Sequence, residues 1–104
     1  MDLKTIASLP EIRSVLECDA AGALLGAARE PDPESAAAVT GFLASSLGQI
    51  GEELGLGPLY RMSVAGRERA SLLVVLGGSI VAAVVEPAGA FPAVEHAIDT
   101  ILQR

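Results

Sequence analysis

The chain has 104 residues, enough for one domain and no second one, and half of them are hydrophobic (51%) against 19% charged. A mean hydropathy of +0.50 excludes a disordered tail and points to an apolar-cored globule. Seven basic against thirteen acidic residues give a net charge of -6, which disfavours nucleic acid and anionic membranes as partners; one cysteine and one histidine exclude an internal disulfide and a typical zinc site.

The stretch from Met1 to Pro10 lacks the charged start and long apolar core of a secretory signal, so a cytoplasmic protein is expected. Asp2 is placed to cap a short helix carrying Leu3, Ile6 and Leu9, which Pro10 stops. From Arg13 to Arg29 two short strands are joined by a turn at Asp19 to Gly22, where aspartate bonds its own backbone and glycine accepts a positive φ. Glu30-Pro31-Asp32-Pro33-Glu34 is a breaker followed by negative charge at a helix start, and the helix runs to about Leu54, ended by Gly55 and Gly57. A strand over Leu59 to Ala65 and a polar turn at Gly66 to Arg69 follow. Sixteen uncharged residues, Ala70 to Val85, are somewhat short for a bilayer span and are split by Gly77-Gly78-Ser79, so they read as an apolar hairpin. After breakers at Pro87, Gly89 and Pro92, a last helix carries Val94, Ala97, Ile98, Ile101 and Leu102 on one stripe. The two apolar strands need cover on both faces, which predicts an α/β (α+β) sandwich: a five-stranded antiparallel sheet between helices in the order α-β-β-α-β-β-β-α.

At 100° per residue the long helix divides into three arcs. Val39, Leu43, Leu47, Ile50 and Leu54 form the arc expected to lie on the sheet. Ala37, Gly41, Ala44, Gly48 and Gly51 form a second, with nothing larger than a methyl group; because glycine inside a helix costs about 0.5–1 kcal/mol, it suggests close approach by a neighbour, the same helix of a second copy being the expected one. The third arc holds Ser45, Ser46, Gln49, Glu52 and Glu53 with Phe42 in its midst, an aromatic anchor on a polar face.

Catalytic chemistry is hard to find. The only lysine, Lys4, has no phosphate-binding loop before it, so the chain is not itself a GTPase; Gly55-Leu56-Gly57 meets Tyr60 where a dinucleotide fingerprint needs glycine. Cys18 reads as a small core residue and His96 as a solvated one. Glu17 with Asp19, and Glu52 with Glu53, have no nucleophile or pocket to serve, and Arg67 and Arg69 read as solvated turn charges. No metal or cofactor is expected, and a binding or scaffold module is favoured over an enzyme.

Four local patterns resemble the Roadblock dynein-light-chain family over residues 3–102. They are Leu9-Pro10-Glu11-Ile12 entering a strand, the Cys18 to Leu24 hairpin, the acid-capped helix ending in Gly55-Leu56-Gly57, and the glycine-turned apolar hairpin. The resemblance implies a single Roadblock-like domain over residues 1–104 that forms homodimers or heterodimers with a paralogue, third strands pairing edge to edge and long helices side by side. Carried onto this sequence, the contact is Gly41, Ala44 and Gly48 on the helix and Leu59, Tyr60, Arg61 and Met62 on the edge. Prokaryotic members act on small Ras-like GTPases through the helix face, which here is Phe42, Ser46, Gln49 and Glu53. A first helix shorter than the family's is the one departure. The expected function is therefore a dimeric adaptor or regulator of such a GTPase. A purely structural dimerisation subunit, and more remotely a small-ligand sensor, are the alternatives.

Overall fold

The structure, a computed structural model, describes residues 3–102, so the Asp2 cap lies outside the described residues. The element order is α1 (Leu3–Ala7), β1 (Ile12–Asp19), β2 (Leu24–Ala28), α2 (Pro33–Glu53), β3 (Arg61–Ala65), β4 (Ala70–Leu76), β5 (Ser79–Val85), a short 3-10 turn (Ala88–Ala90) and α3 (Phe91–Leu102). The expected α+β order stands, with small differences of extent. β3 starts at Arg61, two residues later than expected, and the opening helix ends before Leu9.

The strands form one antiparallel sheet in the order β2-β1-β5-β4-β3. Two meanders, β1-β2 and β3-β4-β5, are joined by α2, and β5 closes the sheet beside β1. The β1–β2 turn forms as its sequence requires: Asp19 Oδ1 accepts hydrogen bonds from the backbone N–H groups of Ala21 and Ala23, both at 2.9 Å. A register irregularity between Ile12 and Ser14 lets Ile12 and Val15, three residues apart, point to the same side of the sheet.

Both faces are covered, which explains why β4 and β5 are apolar throughout. On one face, Val15, Leu72, Val74, Val81, Ala83 and Val85 pack with Ile6 of α1 and with Val94 and Ile98 of α3. On the other, Leu16, Cys18, Leu73 and Ile80 pack with Ala37 of α2. α2 starts at Pro33, whose missing N–H costs nothing at the first helical position, with Glu34 favourably placed in the dipole of the first turn. It ends in a Schellman motif: Gly55 N–H donates to Glu52 O at 3.0 Å and Leu56 N–H to Gly51 O at 2.8 Å. That geometry needs the left-handed φ of +75° that Gly55 supplies.

Candidate interaction surface

The face that α2 turns to the sheet is not the one its apolar spacing suggests. Ala37, Thr40 and Gly41 are the buried residues of the helix, and Ala44 packs on the core cluster of Leu16, Cys18 and Ile80. Val39 is 58% exposed, Leu43 38%, Ile50 52% and Leu54 68%. Only Leu47 of that arc is half-buried. The helix is rotated about a third of a turn from the expected seating, so that its bare stripe points inward.

The physical reason lies in the β1–β2 turn. A Cβ built on Gly41 would stand 2.6 Å from Gly22 Cα and 2.7 Å from Gly22 N; one built on Gly22 would stand 3.1 Å from Ala38 Cα. The two glycines bring backbone against backbone, a proximity that no larger pair permits. The closely approaching neighbour inferred from the small-residue stripe is therefore the chain's own turn at Gly41 and its own sheet at Ala37 and Ala44. A Cβ built on Gly48 would meet only Leu59 Cβ, at an ordinary 3.9 Å, and Gly48 lines an open cleft between α2 and the Gly77-Gly78 turn. Of the expected helix contact Gly41, Ala44 and Gly48, Gly41 is buried against Gly22 and Ala44 packs on the core, so neither lies bare on the surface of the single chain, whereas Gly48 stays open to the cleft.

What α2 leaves uncovered is its large apolar arc. Beneath Val39 and Leu43 an open groove of about 390 Å³ is floored by Leu16, Ala82 and Val84. Further along, Ile50 and Leu54 share a second, of about 300 Å³, with Leu56, Leu59, Tyr60 and Met62. The second groove ends on β3, the edge of the sheet, so apolar surface and an edge strand adjoin. Burying four half-exposed side chains of this size offers about 3–6 kcal/mol to whatever covers them. Association alone costs at least about 4 kcal/mol, which offsets most of that gain.

The other predicted site residues fall in distinct places. Leu59 and Met62 pack against the core cluster on the α2 side, while Tyr60 is 56% exposed. Arg61 turns away from the edge to α3, where its Nη2–H donates to Asp99 Oδ1, with Glu95 Oε2 3.7 Å from Nε. The Asp99 hydrogen bond raises the Arg61 pKa further, against the opposing effect of burial. Phe42 is the most exposed aromatic at 71%, with Gln49 and Glu53 exposed and Ser46 half-buried on the same side of the helix. Cys18 is buried, and burial first, then Asp19 and Glu17, push its thiol pKa up, away from the reactive thiolate. Among the described residues no three His, Cys, Asp or Glu side chains gather where a metal could sit, and no helix is long and apolar enough to cross a membrane.

A five-stranded antiparallel sheet with α2 on one face, α1 and α3 on the other, and strand order β2-β1-β5-β4-β3 defines the Roadblock/LC7 type of fold. Three solved structures are similar to it. MglB from Myxococcus xanthus superposes with a TM-score of 0.79 at 16% identity, over 86% of this chain and 76% of that one. The gliding protein MglB from Thermus thermophilus gives 0.77 at 15%, over 96% and 82%. A Roadblock/LC7 domain from Streptomyces avermitilis gives 0.71 at 14%, over 97% and 93%. At such identities the likeness is one of fold. No protein-family model matches the sequence, and no curated protein matches it.

Proposed function

We propose that the chain is a non-catalytic, dimeric adaptor that binds a small Ras-like GTPase. The observation that carries this reading is the unpartnered apolar arc of α2, Val39, Leu43, Ile50 and Leu54, whose Ile50 and Leu54 end adjoins the edge strand β3. A second copy related by a two-fold axis covers that arc with its own and pairs β3 with β3, supplying at once the apolar burial and the edge hydrogen bonds that neither feature provides alone. The dimer contact retains Leu59, Tyr60 and Met62 from the sequence reading and replaces the glycine stripe by the large apolar residues.

The GTPase is assigned to the outward side of α2, where Phe42 stands among Ser46, Gln49 and Glu53. The support is the resemblance to the Roadblock family together with the likeness in fold to the two MglB structures. Phe42 is a large exposed aromatic beside the polar Ser46, Gln49 and Glu53, the pattern of an interface anchor. The test is nucleotide-dependent co-purification with the small Ras-like GTPases of the same cell, followed by GTP hydrolysis with and without this chain. Capture of a GTPase in one nucleotide state, weakened about tenfold by Phe42→Ala, is expected. Absence of binding by every such GTPase in both nucleotide states would overturn the reading, and altered hydrolysis separates a regulator from a tether.

A further inference from the structure

The end of the sheet opposite the Gly77-Gly78 turn holds a second kind of surface. Arg13 from β1, Arg29 after β2 and Arg69 before β4 line one open cleft of about 740 Å³, with Ser14, Glu30 and Val84 in its walls. A chain of net charge -6 thus gathers three of its six arginines in one place. The remaining charges are largely screened beyond about 10 Å at ordinary salt, so an anion in the cleft feels mainly these local groups.

The arginines are held there. Arg13 Nη1–H and Arg69 Nε–H donate to the two oxygens of Glu86, each at 3.0 Å, and Arg29 Nη1–H donates to the Ile12 carbonyl at 2.9 Å. Each of these bonds uses one of a guanidinium's five N–H donors, so most of each fork stays open. Arg29 is the only non-glycine among the described residues with a positive φ, 64°. Asparagine or glycine would adopt that backbone more cheaply, and such strain is characteristic of positions kept for their side chain.

We propose that this cleft binds a phosphate group, with the forks of Arg13, Arg29 and Arg69 as its donors. Guanidinium forks match phosphate oxygens in bidentate geometry, and a dianion has acceptors enough for three of them. A lone carboxylate would only repeat what Glu86 already does. Glu86, which does not itself line the cleft, holds Arg13 and Arg69 in position and competes for their donors, and Glu30 in the wall is the negative charge beside the ligand. Phosphate reaches such a site either in solution or as a lipid headgroup, and the two sources share this chemistry.

The test is a titration of the full chain with inorganic pyrophosphate, followed by NMR of the arginine side-chain N–H and the Ser14 amide signals, alongside flotation with phosphatidylcholine vesicles with and without phosphatidic acid. Saturable shifts with half-saturation below about 1 mM are expected. Arg29→Gly, which keeps the backbone conformation, should weaken binding about tenfold, and Glu86→Gln should tighten it by removing the competing charge. Arg29-dependent flotation only with phosphatidic acid would assign the phosphate to a lipid. The proposal is overturned if neither probe binds, or if both variants bind as the unaltered chain does.

Discussion

Alanine at Gly41 and alanine at Gly48 are the same substitution in the same helix, and the packing gives them opposite signs. A methyl at Gly41 would meet Gly22 Cα at 2.6 Å and Gly22 N at 2.7 Å, both backbone atoms, so α2 must retreat from the β1–β2 turn by most of an ångström to restore ordinary contact. Overpacking of this kind costs about 1–3 kcal/mol, near the upper end where backbone meets backbone, and the better helix propensity of alanine returns about 1 kcal/mol. The expected net loss is about 1–2 kcal/mol, or roughly 4–16 °C in Tm for a domain of this size. At Gly48 the methyl meets only Leu59 Cβ at 3.9 Å, so the propensity term stands alone and the variant should gain about 0.5–1 kcal/mol. Urea denaturation at one fixed protein concentration measures both, since association makes apparent stability depend on concentration. A Gly41→Ala protein as stable as the parent would refute the glycine-to-glycine contact, and with it the seating of α2.

The Arg69 hydrogen bond, aided by Arg13, holds the Glu86 carboxyl below its ordinary value near 4.5. Because the folded value is lowered, Glu86 stabilises the fold above that pH and loses the contribution as pH falls through its folded value. In acid titrations of stability, Glu86→Gln should therefore be the less stable protein at neutral pH and converge on the parent below 4.5; parallel curves would contradict the pairing. Cys18, buried and with its thiol pKa raised, should resist a thiol reagent at mildly alkaline pH until denaturant is added, and labelling of the native chain as fast as of free cysteine would contradict its burial.

Sequence and structure agree where a local rule decides. The Asp19–Gly22 turn, the Gly55 helix stop and the Gly77-Gly78 hairpin each rest on the chemistry of a few adjacent residues, and each lies where its residues place it. The disagreement concerns which side of α2 faces inward. Apolar arc and small arc lie side by side on the helix, and hydrophobic burial favours the first while close approach favours the second. The deciding contact joins Gly41 to Gly22, nineteen positions away, and no local spacing reveals it. The bare run Ala20-Ala21-Gly22 was the available signal, since a turn without side chains can accept a helix without them. The arginine cleft escaped for a similar reason: Arg13, Arg29, Arg69 and Glu86 come from separate elements and meet only when β5 closes beside β1. Arg69, expected as a solvated turn charge, is an ion-pair partner instead.

Whether a second copy covers the apolar arc of α2 is measured most directly by sedimentation equilibrium of the parent chain and of Ile50→Glu, a change at a side chain already 52% exposed in the single chain. The parent should sediment at twice the mass of 10.6 kDa, and the variant at the single mass with its circular dichroism unchanged. A parent that is monomeric at micromolar concentration, or an Ile50→Glu protein that remains a dimer, would contradict the account.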